Sequence, residues 1–406
     1  MQGYKERALE ELTTVEGLIK EISRGIYQQP ELGNQEFKAV QLLVTGLEQH
    51  GFNITRELAG LPTAFKAEYP GKPGGPRIAF LAEYDALPEL GHACGHNLIG
   101  AASFGAGLVV SRFLKEIPGS ILVIGTPAEE TNGAKVALIE AGVFEDIDIA
   151  LMFHPGNCNA VEINSLAMEA LEFVFQGQAA HAVACPQKEI NALEALVLFF
   201  VGINALRRQL GTEAYIHGII SDGGITPNII PERAAARFYI RARQQVQLEH
   251  IVAKVQACAQ GVASLTGATV KWFNYEASYK EMVPNPTLAT LFRDNLIALG
   301  VPNLTGLRGT QGSLDMGNVS QLVPSLHPYL MLRPGLVPHS REFTEAAGGT
   351  AGEKVLLLAV KALAWTALDL LFDPALVAKA WKELRRKLNI EEKFIYRGRT
   401  AQSCLK

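Results

Sequence analysis

The two neighbouring motifs EYDALP at 83–88 and GHACGHN at 91–97 together carry two carboxylates, two imidazoles and a thiol: Glu83, Asp85, His92, Cys94 and His96. An apolar run at 77–82 precedes them and predicts a buried strand. A run of apolar and small residues at 98–114 follows them and predicts a helix. Open α/β sheets hold their ligand sites in loops at the carboxyl ends of strands. The stretch therefore predicts part of a metal centre, which the rest of the chain must complete.

Further candidate ligands follow other predicted strands. Glu129 and Glu130 come after an apolar run at 120–125, and His154 comes directly after a predicted strand at 147–153. His339 lies in the loop after a predicted strand at 327–332. Thiolate, imidazole and carboxylate together suit a borderline divalent metal. The five candidate ligands are Cys94, His96, Glu130, His154 and His339.

Five protein ligands exceed what one tetrahedral site with an open position needs. The number favours two ions, which lie roughly 3.5–4 Å apart in such sites. Glu129 adjoins the candidate ligand Glu130, so it can stay free as a general base. Taken singly, each residue has a simpler interpretation: a buried cysteine as a small hydrophobe, a loop histidine as a hydrogen-bonded residue, two glutamates as a helix start. Their joint position at strand ends favours the metal centre.

Bulk composition limits the class of protein. A chain of 406 residues with 48% hydrophobic and 19% charged residues predicts a globular protein of two domains. The net charge of −4 argues against nucleic acid as a partner. Five scattered cysteines and a charged amphipathic N-terminus without a secretory signal favour a reduced, cytoplasmic setting. The apolar run at 355–372 contains Lys361 and Asp369, so a buried helix is favoured over a membrane span.

The order of predicted elements divides the chain. Strands alternate with helices up to residue 166, which is typical of an α/β domain. Residues 167–279 change to the order strand, helix, strand, strand, helix, strand, which is typical of an α+β sandwich. The predicted organisation is a first catalytic part at 1–166, an inserted domain at 167–279 and a second catalytic part at 280–406. The tail at 389–406 has no assignment.

Several motifs carry a family resemblance when taken in order. They are DALP at 85–88, HACGH at 92–96, TPAEE at 126–130, FHP at 153–155 and the late His339. This set resembles the M20 metallopeptidases, most closely their amidohydrolase and aminoacylase branch. The motifs EYD at 83–85, CGHN at 94–97 and SLDMGNVS at 313–320 look most like a dipeptidase-like subgroup of that branch. The resemblance runs from PEL at 30–32 to about residue 372.

The resemblance implies an α/β, phosphorylase/hydrolase-like zinc-peptidase catalytic domain with an inserted α+β (ferredoxin-like) lid and dimerisation domain. It implies two divalent ions per subunit (Zn, Mn or Co) held by the five candidate ligands. Glu129 matches the general base of the family. Asp85 matches a residue that orients a ligand, although a turn-capping role is equally open for it.

The inserted domain matches the family too. GQAAHA at 177–182 resembles the lid motif, which implies that His181 reaches the site of a partner subunit and stabilises the oxyanion. TPNIIP at 226–231 implies that Asn228 helps to hold the substrate carboxylate. Arg241 could clamp that carboxylate or form only a local salt bridge.

The resemblance implies a homodimer that hydrolyses a dipeptide or N-acyl amino acid with a free carboxylate. Aminobenzoyl-glutamate is an alternative substrate, and a non-catalytic binding or scaffold protein is the alternative from another class. Two positions depart from the branch. Asn97 stands where many members have Asp, which removes a charge, and Glu83 replaces a common Asp. His92 is expected to form a structural hydrogen bond, and His327 is expected to have a core or loop role.

Overall fold

The computed structural model describes residues 2–178, 189–211, 214–301, 304 and 312–389. These residues form two compact units. The second unit comprises Ser165–Glu281 with Gly312–Leu314, and the remaining described residues belong to the first unit. The inserted domain predicted at 167–279 thus starts two residues later and ends two residues earlier than the observed segment.

The first unit is a mixed α/β structure. Its strands are β1 (Asn53–Arg56), β2 (Phe65–Pro70), β3 (Lys72–Ala82), β4 (Pro118–Gly125), β5 (Ile149–Leu151), β6 (His154–Gly156), β11 (Ser325–Leu326) and β12 (Tyr329–Met331). Its helices are α1 (Gln2–Gln28), α2 (Phe37–Gln49), α3 (His96–Ser111), α4 (Ala134–Glu140), α7 (Pro286–Ala298), α8 (Met316–Ser320), α9 (Arg341–Gly348), α10 (Thr350–Phe372) and α11 (Pro374–Leu388).

Six strands form the main sheet in the order β1-β2-β4-β3-β5-β11. Strand β3 pairs in parallel with β4 on one side and with β5 on the other. The last five residues of β3, from Ile78 to Ala82, are fully buried. A strand that is buried on both faces has apolar residues at consecutive positions, so the strand at 78–82 could be predicted from the sequence. The loops after β3 and β4 leave the sheet at the same edge.

Helix α3 fills the centre of the first unit. Every one of its residues is buried, and it packs against β3, α1 and α10. Small residues make this burial possible. A Cβ on Gly105 would lie 2.7 Å from Ile19 Cδ1 and 2.9 Å from Val360 Cγ2. Because His96 is the first residue of α3, the packing of this helix fixes one end of the candidate metal centre.

Helix α10 is the one described helix that is long and apolar enough to cross a membrane. However, 78% of its most apolar window is buried inside the protein. Helix α10 packs against α1, α3, α7 and α9. This packing agrees with the sequence prediction of a buried helix.

Two local predictions were wrong, and one helix was not predicted. The Pro- and Gly-rich sequence PGKPGGP at 70–76 predicts a loop, but β3 begins at Lys72 and pairs irregularly with β4 between Lys72 and Arg77. An irregular strand end tolerates Pro and Gly. The stretch at 309–320, which carries Gly, Ser and Asp, also predicts a loop, but its described part contains helix α8. Helix α9 was not predicted, although the side chain of Ser340 caps it by accepting a hydrogen bond from Phe343 N.

The second unit is an α+β sandwich. Its elements are β7 (Ala167–Gln176), α5 (Ala192–Leu210), β8 (Ala214–Asp222), β9 (Arg233–Ala242), α6 (Gln245–Thr266) and β10 (Thr269–Asn274). The strands form an antiparallel sheet in the order β10-β7-β9-β8. Helices α5 and α6 contact each other and both contact β7 and β9. The chain order and sheet order are those of a ferredoxin-like fold, as predicted.

Candidate metal centre

Cys94 and His96 lie where the loop after β3 enters helix α3. Gly95, between them, has a φ of +77°, and a Cβ at this position would lie 2.5 Å from Pro155 Cγ. Glycine is therefore required for both the backbone conformation and the close approach to the chain after His154. This tight turn directs the thiol and the imidazole toward one centre.

The other candidates reach the same centre from separate parts of the chain. Glu129 and Glu130 follow β4, where Ala128 has a left-handed φ of +57°. His154 was predicted at the end of a strand at 147–153, but it is the first residue of a separate short strand, β6, which pairs with β12. His339 also has a left-handed φ of +60°, and its backbone N–H donates to Ala93 O at 3.0 Å. Main-chain pairing thus holds the last two histidines beside the loop of Cys94.

The structure brings six of the predicted residues together. Cys94, His96 and His154 each offer a ligand atom within 4.8 Å of the others. The same holds for Cys94, Glu130 and His339, and for His96, Glu129 and Glu130. Individual separations are 3.4 Å from Cys94 Sγ to His154 Nε2 and 3.4 Å from His339 Nε2 to Glu130 Oε1. Residues shared between overlapping groups are what two neighbouring ions require.

Two buried ligand atoms in this cluster test the fit of a metal. Among the described residues, neither His96 Nε2 nor Glu130 Oε1 has a hydrogen-bond partner. Buried polar atoms normally make hydrogen bonds, so an imidazole nitrogen and a carboxylate oxygen that make none and lie 3.9 Å apart are suited to hold a cation together. Imidazole, thiol and carboxylate donors together suit Zn²⁺ and related divalent ions. The residues therefore fit a metal centre.

Asp85 connects two of the candidate ligands. Its Oδ1 is 2.9 Å from His96 Nδ1, and its Oδ2 accepts a hydrogen bond from Glu130 N at 3.0 Å. Asp85 thus faces Nδ1 of His96, and the other ring nitrogen, Nε2, is the one that makes no hydrogen bond. A carboxylate in this position fixes the tautomer and orientation of a ligating histidine. An orienting role for Asp85 requires contacts of this kind.

The electrostatic environment differs between the two adjacent glutamates. Burial, with the nearby charges of Glu83 and Glu130, raises the pKa of Glu129 well above its ordinary value. Burial acts the same way on Glu130, but His339 and His96 outweigh it and lower its pKa to about 2. A carboxyl group with a raised pKa is suited to accept a proton, whereas an ionised one is suited to bind a cation.

Cys94 and His154 are buried beside these charges. Burial raises the pKa of the Cys94 thiol well above its ordinary value and lowers the pKa of His154 to about 4. A neutral imidazole is the form that binds a metal. A bound divalent ion favours the thiolate and would reverse the effect of burial on Cys94.

One group beside the centre was missed by sequence reasoning. The Nζ of Lys135 is fully buried and lies 2.7 Å from both Glu83 Oε1 and Asp315 Oδ1. Glu83 Oε2 in turn lies 3.6 Å from His96 Nε2. The only available signal was a lysine at the start of a predicted helix, which usually indicates a solvated side chain. We name Glu83, Lys135 and Asp315 the buried charge triad.

Three neighbouring side chains have supporting positions. His92 Nε2 lies 3.1 Å from Ile26 O, which agrees with the predicted structural hydrogen bond. The amide nitrogen of Asn97 donates to Ser23 Oγ and to Ala347 O. His327 is buried, with its ring centroid 5.7 Å from that of His154. The ring of His154 also stacks on Tyr329 at 4.7 Å, so aromatic packing limits its rotation.

The predicted substrate-binding residues belong to the second unit. Arg241 Nε donates to Ser313 Oγ at 3.2 Å, and its guanidinium lies 4.9 Å from the centroid of the Tyr239 ring. Neither contact is a salt bridge, so neither is the local ion pair that was the alternative for Arg241. Asn228 is exposed and hydrogen-bonds to Thr226. His181 lies outside the described residues.

Comparisons with known proteins agree with this description. Residues 79–362 match the model of the family described as peptidase family M20/M25/M40. The Xaa-Arg dipeptidase of Mus musculus is 39% identical over 97% of this chain and 94% of its own length. A p-aminobenzoyl-glutamate hydrolase polypeptide of Escherichia coli is 33% identical over 70% of this chain and 62% of its own length.

A solved structure shares the fold. It is a Bacillus subtilis protein described as a dinuclear metal-binding peptidase of family M20. It aligns with a TM-score of 0.65 and 21% identity, covering 91% of this chain and 99% of its own. At this identity the match supports the fold alone.

Proposed function

The chain belongs to peptidase family M20/M25/M40, and from this premise we propose that it is a dipeptidase with a two-metal centre. It is a metal-dependent hydrolase of C–N bonds, as its dipeptidase and amidohydrolase relatives are. The observation that carries the proposal is the convergence of five candidate ligands and Glu129 in overlapping groups. A non-catalytic scaffold would have no need for buried ligand atoms that make no hydrogen bond at His96 Nε2 and Glu130 Oε1.

The proposed ligands are Cys94, His96, Glu130, His154 and His339. Bound divalent ions supply Lewis acidity toward the scissile carbonyl and the attacking water. Glu129 accepts a proton from that water on its carboxylate and later delivers it to the nitrogen of the leaving amine. Asp85 holds the ring of His96 and the backbone of Glu130 in position during both steps. We also propose, on its motif alone, that His181 donates a hydrogen bond to the oxyanion from a partner subunit.

The base is tested by substituting Glu129→Gln. Turnover should fall at least about a thousandfold, which is within the range for losing a general base, while the bound metal per subunit stays unchanged. The measurement pairs a dipeptide hydrolysis assay with metal analysis by mass spectrometry. Retained turnover in the metal-loaded variant contradicts the assignment of Glu129 and with it the proposed mechanism.

The proposed substrate is a dipeptide with a free C-terminal carboxylate, with Xaa-Arg as the first choice. The support is the relative named Xaa-Arg dipeptidase, which matches nearly the full chain, whereas the aminobenzoyl-glutamate hydrolase polypeptide matches a smaller part. Arg241 and Asn228 are the proposed carboxylate contacts. Arg241 suits this role because a guanidinium binds carboxylates bidentately and this one is held by Ser313 through Nε.

A substrate panel separates the candidates. The metal-free enzyme is reloaded with Zn, Mn or Co and assayed with alanyl-arginine, alanyl-glutamate, an N-acetyl amino acid and p-aminobenzoyl-glutamate. We expect the highest kcat/KM for alanyl-arginine. A higher kcat/KM for p-aminobenzoyl-glutamate assigns the chain to the alternative activity.

We propose that the protein is a homodimer formed through the second unit. Strand β8 lies at one edge of the four-stranded sheet and exposes Tyr215, Ile219 and Ile220. Helix α5, which packs against β8, exposes Val197 and Val201. Among the described residues no strand pairs with the outer edge of β8, and an edge strand with exposed apolar side chains favours association with a second chain. Light scattering should give twice the subunit mass for the wild type and the subunit mass for Ile219→Lys, and a monomeric wild type contradicts the proposal.

A further inference from the structure

A short segment far from the metal centre in sequence contacts both loops that carry its residues. We name residues 31–36 the brace segment. It lies between helices α1 and α2, and none of its side chains takes part in the proposed mechanism. Its contacts involve Ala86, which follows Asp85, and Ala128, which precedes Glu129 and Glu130.

Glu36 makes the most direct of these contacts. Its side chain is completely buried, and its Oε1 accepts a hydrogen bond from Ala128 N at 2.8 Å. Its Oε2 accepts a hydrogen bond from Thr63 Oγ1 at 2.7 Å. A buried carboxyl group needs such partners to offset its desolvation, so a glutamate here is retained only where the bonds are made. The side chain is thereby tied to the backbone of one residue in the glutamate loop.

The residue that Glu36 contacts has an uncommon conformation. Ala128 has a φ of +57°, a region that residues with a Cβ adopt rarely. Its carbonyl accepts hydrogen bonds from Thr131 N and Gly133 N, which closes the turn around Glu129 and Glu130. Without an acceptor for the N–H of Ala128, the turn would lose one of the contacts that hold this conformation. Glu129 and Glu130 follow Ala128 directly in the chain, so the directions of their side chains depend on the conformation of Ala128.

The rest of the brace segment packs on the same two loops. Glu31 O accepts a hydrogen bond from Ala86 N at 2.8 Å, which pairs the segment with the Asp85 loop. Gly33 packs so closely that a Cβ there would lie 2.5 Å from Thr131 Oγ1 and 2.9 Å from Ala128 Cα. The segment therefore contacts the Asp85 loop and the Glu129 loop at the same time.

We propose that Glu36 is a positioning residue which, with the close packing at Gly33, holds Glu129 and Glu130 in working geometry. The inference rests on the proposed function, because it assumes that these two glutamates are the base and a ligand. A displacement of about 1 Å of a catalytic group can reduce a rate by 10²-fold. Partners that orient a metal ligand typically contribute 10–100-fold to metal affinity or activity.

The first test compares Glu36→Leu with Glu36→Gln. Leucine removes both acceptors, so kcat should fall about 10–100-fold with KM changed less than about threefold, and Zn²⁺ affinity of the metal-free protein should fall about tenfold. Glutamine keeps an acceptor for Ala128 N and should retain kcat within about threefold. Rates are measured with the panel substrate that the wild type hydrolyses fastest, and Zn²⁺ affinity by calorimetry.

The second test uses the packing at Gly33. A Cβ at Gly33 would overlap Thr131 Oγ1 and the backbone of Ala128, so Gly33→Ala must change the contact between the brace segment and this turn, and it should lower kcat and Zn²⁺ affinity as Glu36→Leu does. Gly17→Ala is the matched control, because a Cβ on Gly17 in helix α1 meets no atom within 4 Å. If Glu36→Leu does not fold, Gly33→Ala decides the question.

The outcomes separate the inference from the proposed function. Wild-type kcat and Zn²⁺ affinity in folded Glu36→Leu, or in Gly33→Ala where that variant decides, overturn the positioning role. A Glu36→Gln variant as impaired as Glu36→Leu overturns the acceptor argument. An active Glu129→Gln variant overturns the proposed function instead, whatever the Glu36 variants do.

Discussion

Replacing Lys135 by methionine should destabilise the first unit by about 3–5 kcal/mol at pH 7, the usual cost of breaking a buried ion pair. The lysine is fully buried, and its ammonium lies 2.7 Å from each of two buried carboxylates. Burial alone would lower the pKa of Lys135, but Asp315 and Glu83 outweigh it and raise that pKa. Methionine approximates the length of the side chain and provides no charge.

The magnitude follows from the charges that remain. Without Lys135, Glu83 and Asp315 are two buried carboxylates with no cation between them, and at least one of them must take up a proton at pH 7. Raising the pKa of a carboxyl group by about three units costs about 4 kcal/mol, since one unit is worth about 1.4 kcal/mol. When the carboxyl pKa is raised in the folded state, the loss of stability is complete above that folded-state pKa. The loss disappears below the pKa of the same group in the unfolded state, which is about 4.

The assay is urea unfolding of the metal-free protein at pH 5 and pH 8, followed by a signal from the first unit. The loss in Lys135→Met should be smaller at pH 5 than at pH 8. Adding Asp315→Asn to Lys135→Met removes one uncompensated charge and should recover part of the stability. Lys379→Met is the control, because Lys379 is exposed on helix α11. A loss below about 1 kcal/mol at pH 8, or no recovery in the double variant, would refute the reasoning.

Three other predictions follow from the same geometry. Cys94→Ser should lower the bound metal per subunit, measured by mass spectrometry, because Cys94 is shared by two ligand groups; unchanged metal content would exclude it as a ligand. Asp85→Asn should lower kcat about 10–100-fold in a dipeptidase assay, because only one oxygen acceptor remains for His96 and Glu130. Burial raises the pKa of Glu36 to about 7, so its contribution to stability is full below about pH 4.5 and is lost as the pH rises through 7. The free energy of unfolding in urea, taken as wild type minus Glu36→Gln, should therefore fall by about 3 kcal/mol between pH 4.5 and pH 8. A difference that stays constant over this range would contradict the raised pKa.

Much of the fold was predictable because its signals are local. The run at 78–82 is continuously apolar since β3 is buried on both faces. The order of elements in 167–279 likewise belongs to a sheet with helices packed against it. The small residues of α3 and the interrupted apolar run of α10 likewise indicated buried helices. The irregular start of β3 and the short helix α9 were not predicted, because pairing with β4 and capping by Ser340 decide them.

The sequence also determined which residues were candidates for chemistry. Cys94, His96, Glu130, His154 and His339 follow predicted strands, and parallel strands bring their carboxyl ends to one edge of a sheet. Adjacent residues at a strand end cannot separate, so Glu129 was tied to Glu130 without any tertiary information. Candidate ligands of different types in this order were therefore enough to predict a shared centre.

The supporting groups were decided by the tertiary structure alone. Lys135 is 52 residues from Glu83 and 180 from Asp315, and Glu36 is 92 residues from Ala128. A lysine or glutamate in isolation is expected at the surface, where its charge is solvated. Only the fold brings opposite charges or backbone donors close enough to offset the loss of water. Because that compensation depends on distances between remote segments, no local pattern in the sequence could reveal it.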